Sequence, residues 1–455
     1  PISQFFKASF DILDKYVLTA TLRRDGTDKF FPGNKYALFP SVSGAWKISN
    51  ENFLKNISWI NLLKLRASWG KTGQDNLGSS LYGSYAPNNF KVNFSDNGII
   101  NIPYVSMGAN YPDVSWQKTT MKNIGLDFYL LSDRISGSFD FFRNDITRLL
   151  GYASTSPLAI YETRPINGGH YYRRGWELMV DTKNLVGEFT WDTSLTFSKT
   201  NSFWKERLPN YDYQIYQQRE NEPMSAYYYY NVTGIINTDR SNMPESQKTL
   251  QAEAQLPGCP IIEDKNKDGK IDENDVYMKD NSPAIYVGIG NTFTYKRFEF
   301  SFFMYGQFGI QKYNIAYSAA QAGPLAVDYP ENSNKFAYRL WNSQTNPNGS
   351  RPGLAIGKMG ALPGNAWVNA DRENASFMRM RNITLAYNLA GNILGSLQRY
   401  VRNIKVYVDA QNPFILTKFQ GFDPEIYTGG GGASGGSRGE HPQTRTFSLG
   451  ANITF

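Results

Sequence analysis

A chain of 455 residues with a net charge of +7, a mean hydropathy of -0.47 and a single cysteine is bounded before any motif is read. No window approaches about 18 uninterrupted apolar residues, which excludes a transmembrane helix, and Cys259 alone excludes an intrachain disulfide framework or a multi-cysteine metal site. Basic runs interleaved with aromatics are missing, so no nucleic acid partner is expected; with 30 Tyr and 29 Phe the chain is rich in aromatics, and its low mean hydropathy does not exclude crossing a membrane by strands, because only every second residue of such a strand meets lipid.

Taken in chain order, Phe6, Ala8, Phe10 and Ile12 alternate with polar residues, and after the turn at Asp14 and Lys15 the pattern resumes at Tyr16, Leu18, Ala20 and Leu22. This reads as a hairpin. Val42 to Ile48 and Leu63 to Trp69 carry the same alternation, as do Ile124 to Leu130 and Ile135 to Phe141 around the turn Ser132-Asp133-Arg134. Trp176 to Val180 and Phe189 to Phe197 follow. Gln214 to Glu220 and Ala226 to Ile236 are the least clear strands, because Tyr227 to Tyr230 offers no alternation. Ile285 to Tyr295, Phe298 to Met304, Ile383 to Leu389, Ile404 to Ala410 and the last residues, Thr444 to Phe455, complete the series.

That makes fifteen expected strands, with short connections alternating with long ones. Sorting by parity is what an outer-membrane barrel requires, with tight turns on the periplasmic side and long loops outside. If Phe455 ends at the periplasm, the loop at 237–283 is extracellular. Trp46, Trp69, Trp176 and Trp191 fall near strand ends on the outward face, as interfacial anchors would. Arg379 and Arg381 share the parity of Ile383; the preferred placement is the outer rim, the alternative a bulge that turns them inward. Pro1 is not followed by a charged segment and an apolar run, so no signal peptide is expected within this numbering, which is expected to start mid-protein or after processing.

Five ordered segments then resemble the SusC/RagA family of TonB-dependent outer-membrane transporters: Tyr16 to Ser49 (YVLTATLRRDGTDKFFPGNKYALFPSVSGAWKIS), Leu62 to Gly78 (LLKLRASWGKTGQDNLG), Asp264 to Gly306 (DKNKDGKIDENDVY with YVGIGNTFTYKRFEFSFFMYG), Ala375 to Leu389 (ASFMRMRNITLAYNL) and Val406 to Glu425 (VYVDAQNPFILTKFQGFDPE). The resemblance implies an all-β antiparallel barrel of 22 strands with an amino-terminal plug, energised by TonB, covered by a SusD-like lipoprotein lid and importing oligosaccharides or peptides. Residues 1–455 would be its carboxyl-terminal part, a single incomplete domain without plug or TonB box. Ile2 would then begin about the eighth strand, and Thr444 to Phe455 is expected to pair with a strand that this sequence does not contain.

One stretch has ligand spacing. Asp264, Asn266, Asp268, Lys270, Asp272 and Asp275 occupy positions 1, 3, 5, 7, 9 and 12 of a calcium-loop template, with Gly269 at the sharp turn. Oxygens two residues apart converge on one hard cation, Lys270 through its backbone carbonyl and Asp272 through water. Asp275 replaces the usual Glu. The competing reading is a loop of Asx turns that satisfies its own backbone. No flanking helix pair is indicated, so the expectation is an isolated calcium clip within 264–275.

Elsewhere the chemistry is negative. His170 and His441 have no metal-ligand or nucleophile spacing, no Walker, GxSxG or HExxH motif occurs, and Gly429 to Gly439 follows no strand-to-helix pattern that would make it a phosphate cradle. The chain is not expected to be an enzyme. Trp204, Tyr211, Tyr213, Trp341 and Trp367 are loop aromatics that could stack on a sugar or meet a lid, against ordinary packing as the alternative. Import of glycan or peptide is the leading function, ahead of a siderophore or cobalamin receptor and of a structural or adhesive barrel.

Overall fold

The computed structural model describes residues 2–77, 81–82, 85–87, 94–96, 99–101, 104–106, 110–155, 163–209, 213–217, 220–314, 339–353, 359–390, 394–395, 399–421, 423–425 and 442–455. Within them the chain is antiparallel β-structure with short 3-10 turns and no α-helix. Thirteen long strands carry the pattern: β1 (Ile2–Ile12), β2 (Tyr16–Gly26), β3 (Tyr36–Lys47), β4 (Ile60–Gln74), β5 (Gln117–Leu130), β6 (Ile135–Ser154), β7 (Thr163–Leu185), β8 (Phe189–Glu206), β9 (Ile285–Tyr295), β10 (Phe298–Phe308), β11 (Phe377–Ala390), β12 (Asn403–Gln411) and β13 (Thr446–Thr454).

The chain divides into two units, the first Pro1–Glu177 with Asn201–Tyr213 and Glu220–Pro223, the second Leu178–Thr200 with Gln214–Arg219 and Met224–Phe455. In the first, strands pair in chain order from β1 to β6 and on to β7; in the second, from β7 to β13, with Ile415–Thr417 pairing beside the start of β11. Nearest-neighbour antiparallel order is the expected meander. Two of the fifteen expected strands are not part of it: Gln214 to Glu220 contains only the 3-10 turn Ile215–Gln217, and Ala226 to Ile236 splits into Ala226–Tyr230 and Val232–Ile235, each in a separate small sheet. Removing an adjacent pair leaves the parity of every other strand unchanged. The region between β8 and β9 is one long excursion.

The sheet faces sort as the alternation requires. Along β2 exposed and partly covered positions alternate residue by residue, the exposed set being Tyr16, Leu18, Ala20, Leu22 and Arg24. In the first unit the apolar face continues through Phe10, Val42 and Ile124, and the second unit has an apolar face of its own at Phe298, Leu385 and Leu449, all exposed. An apolar face of this extent is stable against hydrocarbon and not against water. Asn291 sits on the second unit's apolar face, and its Oδ1 accepts from Trp191 Nε1 at 2.8 Å and Thr193 Oγ1 at 2.7 Å. Trp191 is thus both an outward aromatic and the donor that satisfies this amide. Trp46, stacked on Tyr16, donates to Glu51 at 3.1 Å in the β3–β4 turn, which suits an anchor at the membrane edge.

Compact apolar cores lie under the long loops. In the first unit Phe30, Phe39, Leu81, Val114 and Trp116 pack together. In the second, Tyr230, Ile236, Cys259, Ile262, Ile271 and Val276 form the centre of a larger cluster. Each buried aliphatic side chain there contributes about 1.5–3 kcal/mol, so the excursion carries its own core. Burial pushes the Cys259 thiol up to about 11, which keeps it protonated and inert.

The outermost strands differ from the rest. β1 pairs only with β2, and β13 pairs only with β12; neither has a second partner among the described residues. Both are exposed on both faces along almost their whole length.

Candidate functional site

Within the calcium-type loop the backbone frame matches the template. Gly269 takes φ +86° and donates its N–H to Asp264 Oδ2 at 2.9 Å, closing the sharp turn. Ile271 is buried in the second unit's core, which pins the middle of the loop. The side chains at alternate positions make Asx turns: Asp268 N–H donates to Asn266 Oδ1 at 3.1 Å, Lys270 N–H to Asp268 Oδ1 at 2.9 Å, and Asn274 N–H to Asp272 Oδ1 at 2.8 Å.

Asp275 does something the template does not assign. It is fully buried, its Oδ1 accepting the N–H groups of Lys265 (2.9 Å) and Asn266 (3.4 Å) and its Oδ2 that of Asp272 (2.9 Å). Asp272 and Asp275 also form a reciprocal capping box on the turn Glu273–Asp275. The shorter side chain is what lets position 12 reach the loop's own backbone. Among the described residues no group of three or more His, Cys, Asp or Glu side chains is gathered closely enough to hold a metal ion. The donor set nevertheless retains one open valence at the expected place: Asp264 Oδ1 is buried and has no hydrogen-bond partner. Asp275 thus shapes the loop's own frame, while Asp264, Asn266, Asp268 and Asp272 lie toward its outer side with Asp264 Oδ1 left unpartnered.

The loop aromatics divide clearly. Trp204 and Tyr213 flank the Arg207 guanidinium, at 5.3 and 5.0 Å from their ring centres, and Arg207 is ion-paired to the fully buried Glu222. Trp341 packs where Gly258 and Gly353 leave no Cβ. These three serve packing. Trp367 alone is exposed, at 57%, in register with Tyr229 on a three-stranded sheet whose Tyr227, Tyr229 and Tyr277 stack in a row. Tyr211, His441 and residues 429–439 lie outside the described residues. His170 faces Asp145 at 3.6 Å.

Two charge constellations escaped the sequence reading. On the polar face of the first unit, Arg66, Gly125 and Asp140 stand in register across β4, β5 and β6. The Arg66 guanidinium donates to Asp127 at 2.8 Å and passes over Gly125 to Asp140 at 2.9 Å. A Cβ on Gly125 would lie 2.4 Å from Asp140 Oδ1 and 2.7 Å from Arg66 Nη2. In the second unit the register of β10 against β11 shifts between Phe303 and Met304, so Arg379 opposes Tyr305 while Ile383 opposes Phe302. This bulge puts Arg379 on the face opposite Ile383, which corrects the preferred rim placement. Arg379 is 3% exposed, donates to both oxygens of Asp423 at 2.7 Å and pairs with Glu425. Arg381 stays exposed and donates to Asn412 at 3.1 Å.

Comparison with known proteins agrees with this architecture. Residues 2–412 match the family model described as TonB dependent receptor-like, beta-barrel. TonB-dependent receptor SusC of Bacteroides thetaiotaomicron is 29% identical over 466 residues, spanning 100% of this chain and 44% of SusC, and TonB-dependent receptor P3 of Formosa agariphila is 27% identical over 474 residues, spanning 100% and 45%. The chain thus spans somewhat under half the length of these relatives. The solved RagAB peptide importer in its closed-closed state superposes with a TM-score of 0.78 at 20% identity, over 100% of this chain and 47% of that one, which shows the shared fold. The chain belongs to the TonB dependent receptor-like β-barrel family, a family of outer-membrane proteins.

Proposed function

We propose that the chain forms the carboxyl-terminal wall of a TonB-dependent importer of oligosaccharides or peptides, driven by TonB and covered by a SusD-like lipoprotein. The observation that carries this reading is the pairing of an apolar face with a polar, ion-paired face on the same strands, in a chain whose whole length aligns with somewhat under half of SusC. Deleting the gene in its native host should abolish growth on one complex glycan or peptide source, and deleting TonB should reproduce the defect. A defect confined to iron or cobalamin limitation would favour the receptor alternative, and unaltered uptake with lost surface adhesion the structural one. A lid lipoprotein should co-purify with the intact polypeptide.

The calcium clip belongs to the same reading, as a brace for the excursion between β8 and β9. Replacing Asp264 and Asp268 with Ala should lower the thermal midpoint more in calcium than in chelator, because the lost acceptors for Gly269 and Lys270 cost the same in both buffers and only a bound ion adds stability by mass action, about 2.7 kcal/mol at a hundredfold excess over Kd. Equal losses in both buffers would assign the loop to backbone satisfaction alone.

A further inference from the structure

The ends of β11, β12 and β13 nearest the long loops hold a polar pocket of about 540 Å3 that none of the features above uses. Asn382, Gln411 and Thr446 form one row across the three strands, Asn382 opposing Gln411 and Gln411 opposing Thr446. Asp409 lies one row further along the same face, accepting from Thr384 at 2.6 Å. The opposite face carries Ile383, Ala410 and Phe447, so the pocket opens on the polar side. Arg381, delivered by the bulge, and Gln443 complete the lining.

The frame is fixed while the lining is free. Asn412, at φ +50°, donates its N–H to the Arg381 carbonyl at 2.9 Å and its Nδ2 to the Thr444 carbonyl at 3.0 Å, tying β11 to the start of β13. The side chains of Asn382, Gln411, Gln443 and Thr446, by contrast, make no hydrogen bond among the described residues. Three open carboxamides and a hydroxyl place donors and acceptors side by side. Arg381 and Asp409 cancel in charge, so neither an anionic nor a cationic ligand is favoured. Apolar lining is almost missing, so the pocket offers little to the apolar side chains of a peptide.

We infer that this pocket is a binding subsite for a segment of neutral oligosaccharide, whose vicinal hydroxyls each give and accept a hydrogen bond. The inference rests on the proposed import function and narrows it. The test uses the intact polypeptide purified from outer membranes, titrated calorimetrically with neutral heptasaccharides of α-glucan, β-glucan, mannan and fructan and with a mixed heptapeptide pool. One of the glycans should bind, and the pair Asn382→Leu with Gln411→Leu should weaken it by about tenfold or more. Asn452→Leu, on the same face at the far end of β13, should leave binding unchanged. Gln411→Ala removes only the open carboxamide, and about threefold weakening is expected from it should the double variant not fold. Binding of peptide alone, glycan binding indifferent to these residues, or equal weakening by Asn452→Leu would overturn the subsite. A wild type that imports glycan with a pocket-independent affinity sinks only this inference, whereas a wild type without any TonB-dependent uptake sinks the import reading beneath it.

Discussion

Arg379→Met is expected to destabilise the folded chain by about 3–5 kcal/mol, to be read from the urea midpoint of its tryptophan fluorescence. The guanidinium is the counter-charge for Asp423, itself 7% exposed, and for Glu425. Asp423 also accepts the N–H groups of Glu425 at 2.9 Å and Gln443 at 3.2 Å, so it gathers two separate segments of chain at the bulge. Removing the arginine leaves a carboxylate in a low-dielectric site with half its partners gone, and such a charge costs far more than a neutral residue of the same shape. The double variant Arg379→Met with Asp423→Asn removes the stranded Asp423 charge and keeps an acceptor oxygen for one of the two N–H groups. It should recover more than half of the loss. If the single change costs under about 1 kcal/mol, the pair behaves as an exposed one and the burial argument is wrong.

The second large effect is expected at Gly125. Alanine there should cost about 1–3 kcal/mol, although the substitution is small and the position lies in a strand where alanine is otherwise preferred to glycine. Both atoms that the new methyl would meet belong to one ion pair, so neither can retreat without breaking the bridge from Arg66 to Asp140. A double-mutant cycle isolates this. In an Arg66→Ala background the Gly125→Ala cost should fall to a few tenths of a kcal/mol, because the guanidinium no longer occupies the space above β5. Additive costs would mean that Gly125 matters for some other reason.

The wall of the protein was legible in its sequence because period-two alternation is a property of each strand alone, from Phe6 to Phe455. Its failures lie where alternation stops carrying information. Tyr227 to Tyr230 has no polar partner positions, since both faces of that short strand are partly covered by other parts of the excursion, and a local pattern cannot report a separate small sheet. Arg379 was placed on the rim because one inserted residue reverses every side chain beyond it, and a bulge leaves no mark in composition. The calcium-type loop showed its spacing plainly, yet Asp275 turned inward to three N–H groups that spacing alone does not locate. Trp204 and Tyr213 gave no sign that they enclose Arg207. The bridge over Gly125 did leave a signal: Arg66, Gly125 and Asp140 are polar-face positions of neighbouring strands, and a glycine between opposite charges marks a crossing. Reading it requires the strand register, which the long connection between β4 and β5 conceals.

The two bare strand edges carry a consequence for how this polypeptide comes to rest in a bilayer. Along β1 and β13 one row of backbone N–H and C=O groups points away from the sheet, and in hydrocarbon each unmatched group costs several kcal/mol. Such a sheet has no resting place in lipid while it awaits completion, so insertion and completion are a single thermodynamic event. The chain's stability in the membrane is therefore a joint property, shared with whatever polypeptide supplies the neighbours of Ile2–Ile12 and Thr446–Thr454.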